Sequence, residues 1–186
     1  MHPVRRDVSA VFIHVPATGG TSVRSACGER LIPRHLASTH ATALQIRETL
    51  GAERWGQVFS FAFIRNPWSR TVSLFNMLYP MDEARSFSRF VRIGGFETRS
   101  RGVLQPWFPQ TKFFCDESNR QIVTFVGRFE TLQRDWGFLS ERLGATSLPH
   151  LHRGPVVDYR SYYDDASRMI VGERLAVDIA FGSYQF

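Results

Sequence analysis

The chain has 186 residues, a formal net charge of +6, a pI near 10.0 and 43% hydrophobic residues. That length and apolar fraction suit a single domain over residues 1–186 with one substantial core. The 16 Phe and 4 Trp are spread along the chain, which excludes a long polar tail or a low-complexity arm.

The positive charge favours anionic partners without choosing among nucleic acid, a membrane surface and a phosphorylated small molecule. Lys112 is the only lysine, so nearly all of the charge is on guanidinium groups, which suit bidentate phosphate or sulfate contacts. A GC-rich genome produces the same bias. Cys27 and Cys115 make neither a disulfide framework nor a metal site by spacing and read as reduced thiols. Arg5, Arg6 and Asp7 precede no signal-like apolar region, and no run approaches the roughly 18 apolar residues of a membrane span. The expected location is the cytoplasm.

The apolar run 8–15 predicts a strand, 16–20 a tight loop, and 21–31 a helix. A second helix is expected over 41–50 and a second strand over 58–64. Asn66-Pro67 then reads as a cap followed by a first-turn proline, predicting a helix over 67–78. Residues 79–115 carry Pro80, Gly94-Gly95, Gly102, Pro106 and Pro109 and read as short helices and loops. A third strand is expected at 122–126, a helix over 131–143 closed by Gly144, and a C-terminal helical stretch over 164–181 broken near Gly172. Strands alternating with helices predict an α/β, three-layer fold around a central, mostly parallel sheet. Ligands of such sheets bind beyond the carboxyl ends of the strands, where the two strongest motifs begin.

The first motif is Val11-Phe12-Ile13-His14-Val15-Pro16-Ala17-Thr18-Gly19-Gly20-Thr21-Ser22. Its glycines let the backbone curl around an anion, and Thr18, Thr21 and Ser22 add hydroxyls where a helix start leaves amides unpaired. A glycine turn that merely caps a helix gives a similar string. The spacing of the ATP-type phosphate loop is absent. The second motif runs from Phe61 through Arg65-Asn66-Pro67-Trp68-Ser69-Arg70 to Ser73. Arg65 offers a planar fork and Ser73 a hydroxyl, and the two converge on one phosphate only if the chain bends between them. The alternative is an arginine at the sheet edge and a serine on a solvated helix face.

Together the motifs resemble those of the sulfotransferase superfamily, in particular its carbohydrate-type branch, whose signatures read F-I-H-x-P-K-T-G-G-T-S and F-x-x-R-N-P-W-x-R-x-x-S. The later stretches Val126-Gly127-Arg128-Phe129-Glu130-Thr131-Leu132, Asp135-Trp136, Leu143-Gly144 and Leu148-Pro149-His150, with the ending 178–186, are similar to those of small bacterial members. The resemblance implies a P-loop-like sulfotransferase fold and the donor 3′-phosphoadenosine 5′-phosphosulfate (PAPS), which leaves as adenosine 3′,5′-bisphosphate (PAP). Thr18, Gly19, Gly20, Thr21 and Ser22 would hold the 5′-phosphosulfate, and Arg65 and Ser73 the 3′-phosphate. The acceptor would be a hydroxyl or amine, with no metal required and no nucleic acid bound. The family's loop lysine stabilises charge on the departing group; here that position is Ala17, which cannot. Three accounts are open: a replacement that traps a complex, another cation such as Arg24 or Lys112, or a protein that binds without catalysing. The intact neighbouring positions favour the first.

A base must take the acceptor's proton, and histidine suits neutral pH. His40 is the first candidate, by resemblance to the place where carbohydrate-type relatives carry a catalytic histidine. Its alternative role is to cap the helix that follows. His14 reads as a structural residue inside a strand, and His35, His150 and His152 have no clear partner. Trp107, Phe108, Phe113 and Phe114 form either an acceptor platform or core. Glu130 has no assigned role.

Overall fold

The computed structural model describes residues 10–28, 31, 40–79, 86–93, 107–149 and 158–186. Two compact units are formed, Met1–Ile64 with Lys112–Leu151, and Arg65–Thr111 with His152–Phe186. Each unit is therefore made from two separated pieces of the chain.

The first unit holds a three-stranded parallel sheet in the order β1 (Ala10–Ile13), β2 (Phe59–Ile64), β3 (Phe125–Arg128). Ile13 pairs with Ala62 and Ile64 with Arg128, so the carboxyl ends of all three strands lie at one edge. Helices α1 (Gly20–Cys27), α2 (Ala43–Leu50) and α3 (Ala52–Gln57) lie between β1 and β2 in the chain, and α7 (Leu132–Leu143) follows β3 after a 3₁₀ turn at Phe129–Thr131. The core gathers Ala10, Phe61 and Phe63 from the sheet, Val23, Ala26 and Cys27 from α1, and Trp136, Leu139 and Leu143 from α7. The central strand β2 is apolar on both faces, as a strand covered on both sides must be.

The second unit is helical. It contains α4 (Pro67–Leu78), α5 (Phe87–Arg92), a 3₁₀ turn at Tyr159–Tyr162, α8 (Asp165–Arg174) and α9 (Ala176–Gly182). Trp68, Val72 and Phe75 of α4 pack with Phe87, Phe90 and Val91 of α5 and with Val171 and Leu175. The short α6 (Thr111–Phe114) lies where the chain passes back to the first unit. Among the described residues, no helix is long and apolar enough to cross a membrane.

Several details differ from expectation: β1 ends at Ile13 rather than at residue 15, α1 ends at Cys27 rather than at residue 31, and α3 is an element the sequence pattern did not announce. β3 starts at Phe125 rather than at residue 122, because Ile122 N–H donates to Phe114 O and Thr124 exchanges hydrogen bonds with Ser60 through both hydroxyls instead of extending the ladder. The C-terminal helices break at Leu175 and not near Gly172. Gly172 instead lies within α8, where a methyl group would make an ordinary van der Waals contact with the Trp68 indole. His40 is not the cap of α2: Thr42 is, with its hydroxyl accepting from Gln45 N–H and the Gln45 side chain accepting from Thr42 N–H.

Candidate active site

In the first unit the chain leaves β1, turns through residues 14–19 and enters α1. Val15 N–H donates to Ile13 O at 3.1 Å, and the buried Thr18 hydroxyl donates to Val15 O at 2.8 Å, which locks the turn from inside. That commits the Thr18 hydroxyl to the loop itself, so only its amide is left to meet an anion. Ala17 and Gly19 both take left-handed backbone, with φ of 65° and 82°. At Ala17 this conformation is uncommon for a residue with a Cβ. Gly19 precedes the helix without supplying any side-chain cap, and the first turn of α1 contains no acidic residue. Ser22 and Val23 N–H donate to Gly19 O at 3.1 and 3.3 Å, so the amides of Gly20 and Thr21 lead α1 without an intrahelical acceptor; the Thr21 side chain is exposed and Ser22 is buried. Such a helix start, with partial positive charge and no built-in acceptor, fits a phosphate or sulfate oxygen.

The loop is backed by residues far away in sequence. A Cβ at Gly19 would come within 3.0 Å of the Leu132 side chain and 3.4 Å of Phe129, so the Phe129–Thr131 turn supports the glycine turn from behind. Gly20 is tighter still, since a Cβ there would overlap the His14 ring. His14 is thus not inside the strand, as its apolar neighbours suggested. It follows Ile13, the last residue of β1, and its imidazole lies flat against the start of α1.

His14 also meets His40. The two ring centroids are 4.5 Å apart, and His40 Nδ1 lies 2.9 Å from His14 O. A carbonyl can only accept, so Nδ1 of His40 carries a hydrogen, and in the neutral ring the lone pair is then on Nε2. The main chain of His14 thereby sets the neutral tautomer of His40 and orients its ring. Burial, the neighbouring His40 and the charge of Arg24 lower the His14 pKa from 6.5 to about 3, so His14 is neutral at physiological pH. Arg24, one candidate to replace the missing lysine, is on α1 near enough to act on His14. Lys112, the other, is exposed and reaches Asn119 at 3.5 Å.

In the second unit Asn66 caps α4, its side-chain oxygen accepting from Trp68 and Ser69 N–H, with Pro67 in the first turn. Arg65 and Ser73 are both half-buried, and a residue unnoticed in the sequence lies between them. Arg65 Nε donates to Ser69 Oγ at 3.0 Å. Ser69 and Ser73 are one helical turn apart on one face of α4, and Arg65, which precedes the Asn66 cap, is joined to this polar row through Ser69. The spacing of Ser69 from Ser73 was the available signal. Arg70, next to this row, is wholly buried and donates to Phe108 O at 3.3 Å.

Phe113 and Phe114 have no exposed surface and belong to the interior rather than to an acceptor platform. Trp107 is half-buried with the Arg174 guanidinium 4.8 Å above its ring. Glu130 is exposed in the 3₁₀ turn. His35, His150 and His152 lie outside the described residues. No cluster of three metal-ligating side chains occurs among the described residues.

Comparison with protein families gives a match to the model described as Sulfotransferase family over residues 20–168. The match takes in the helix start at Gly20, His40, Arg65 and Ser73, and begins just after Ala17. This chain belongs to the sulfotransferase family, whose members are PAPS-dependent transferases. No curated protein matches the chain.

Proposed function

We propose that the protein moves a sulfuryl group from PAPS to a hydroxyl or amine acceptor, within one sulfotransferase domain over residues 1–186, and that Ala17 slows this form. The observation that carries the reading is the start of α1, which has no side-chain cap and no acidic residue in its first turn, within a chain of the sulfotransferase family. PAPS, when bound, supplies the activated sulfuryl group. The amides of residues 18–21, with the Thr21 and Ser22 hydroxyls, would hold its 5′-phosphosulfate end. Arg65 and Ser73 would hold the 3′-phosphate, a group that ATP and AMP lack.

His40 Nε2 would accept the acceptor's proton as the acceptor oxygen or nitrogen bonds to sulfur and the bridging S–O bond breaks. The Nδ1–H bond to His14 O supports this role by holding the ring and by becoming a stronger, charge-assisted bond once Nε2 is protonated. His14, being neutral, adds no full positive charge to oppose that protonation. Ala17 places a methyl group where a cation would stabilise the leaving oxygen, so binding survives and rate suffers. Loss of one such donor typically costs roughly 10²- to 10³-fold. By resemblance to the carbohydrate-type branch, a sugar hydroxyl is the acceptor to try first.

Calorimetry of the purified chain with PAP, AMP and ATP tests the donor assignment. PAP should bind most tightly; equal affinity for PAP and AMP would remove Arg65 and Ser73 from the site. A second reading, a noncatalytic PAP- or PAPS-binding protein, is favoured by Ala17 alone. Transfer assays on Ala17→Lys, with sugar, phenol and amine acceptors, separate the two readings.

A further inference from the structure

Arg65 is held from behind by a buried polar relay. Its N–H donates to Gln110 Oε1 at 2.9 Å, and Gln110 Nε2 donates to Arg65 O at 2.8 Å. One side-chain amide thus grips both main-chain groups of one residue, as a neighbouring strand would. Gln110 is itself fixed, because its N–H donates to Asp178 Oδ2 at 2.7 Å. Thr111 adds its N–H and hydroxyl to Asp178 Oδ1 at 3.0 and 3.1 Å. Gln110, Thr111 and Asp178 are all at most 2% exposed. The Arg70 guanidinium is brought down to about 10, chiefly by burial; the charge of Asp178 opposes this and that of Arg65 adds to it. Arg70 therefore remains a cation close to both residues.

Packing alone does not explain this arrangement. Buried charges and amides are expensive to desolvate, and apolar side chains of similar volume often fill such space at no loss of stability. What an apolar residue cannot do is fix the two peptide groups flanking the Arg65 Cα. The Nε–Ser69 bond then fixes the guanidinium at the other end of the same side chain. Main chain and head group are both constrained, which lowers the entropy lost when a planar fork meets a phosphate.

We propose that Gln110, anchored by Asp178, is a positioning residue for recognition of the donor's 3′-phosphate, acting through Arg65. This rests on the reading of Arg65 as the 3′-phosphate ligand. The measured quantity is the preference for PAP over AMP, obtained by calorimetry on the full chain, with thermal melting as the control for folding. Gln110→Leu should lower that preference about tenfold while AMP affinity holds, the scale of a weakened charged hydrogen bond. Asp178→Asn keeps the size, but its NH2 cannot accept the N–H bond made by the oxygen it replaces, so one anchor of the Gln110–Thr111 stretch is lost with the charge while the Gln110 side chain remains; it should lower the preference less, and it also decides the matter should Gln110→Leu fail to fold. In an Arg65→Ala background Gln110→Leu should leave the residual preference unchanged, because its route of action is gone. An undiminished preference in both single variants overturns the positioning role alone. So does an equal loss with and without Arg65. A wild-type chain with no preference for PAP overturns the assignment of Arg65 as well.

Discussion

The two candidate anion sites are built in opposite ways. The turn before α1 offers main-chain amides, and its side chains face inward (Thr18) or are too short to matter (Ala17, Gly19, Gly20). The Arg65 site offers a side chain, and the surrounding polar groups are spent on holding it: Gln110 on its peptide groups, Ser69 on its Nε, and Asp178 on Gln110. A site made of amides survives substitution of its side chains, provided the backbone keeps its path. A site made of one guanidinium is lost with that residue. Binding and catalysis should therefore separate cleanly in the first region and hardly at all in the second.

The largest effect expected is on the base. In a chain active through Ala17→Lys, His40→Ala should lower turnover by about 10²- to 10⁴-fold with PAP affinity nearly unchanged. Steady-state rates and calorimetry on the same preparation check this, and full activity would return His40 to a structural role. Ala17→Lys itself should raise transfer by roughly 10²- to 10³-fold while PAP affinity changes little, since the added cation meets charge that develops only as the bond breaks. A large gain in affinity without a gain in rate would contradict the separation claimed for the loop.

Arg65→Ala should cost PAP roughly 1.5–3 kcal/mol of binding and leave AMP almost untouched. A similar loss for both nucleotides would mean that the residue serves the fold and not the 3′-phosphate. Gly20→Ala probes the backbone path. The new methyl would overlap the His14 ring, so a loss of about 1–3 kcal/mol in unfolding free energy is expected by overpacking. Denaturant melts would reveal it.

A further effect is a pH slope. The His14 pKa falls from 6.5 to about 3 on folding, so between these values the unfolded chain binds more protons and stability rises with pH. The contribution is complete above pH 6.5 and is lost as pH falls toward 3, by at most about 1.4 kcal/mol per pH unit. Asp116, Asp135 and Asp164, all lowered from 3.8 by their hydrogen-bonding partners, contribute in the same direction but at lower pH. Melts of His14→Phe between pH 4.5 and 6.5 should be flatter than those of the parent chain; an unchanged slope would place the titration elsewhere.

Local chemistry was legible in the sequence wherever it was self-contained. Asn66-Pro67 announced the start of α4, Gly144 the end of α7, and the Thr-Gly-Gly-Thr-Ser string the loop before α1. What the sequence concealed depends on pairs far apart along it. His14 read as strand interior because its neighbours are apolar, and only the fold brings His40 onto it. Gln110 carries no pattern, since its partners are the backbone at residue 65 and a carboxylate at residue 178. Gly172 looked like a helix break from its residue type alone, whereas the chain continues as helix through it to Arg174.

The order of pairing in the sheet bears on how the chain acquires its structure. Ala10 pairs with Phe59, and Phe61 with Phe125, so every ladder joins segments separated by a long stretch of chain. Such closures are slow, because the entropy of the intervening loop is lost before any contact rewards it. During synthesis β2 emerges well before β3 and α7, the elements that complete its ladder and cover Phe61 and Phe63. Until residues 125–143 emerge, an apolar strand with an open edge is on display, the kind of surface that invites association with other chains. Fragments ending before Phe125 should accordingly aggregate, and chaperone dependence should fall sharply once α7 is included.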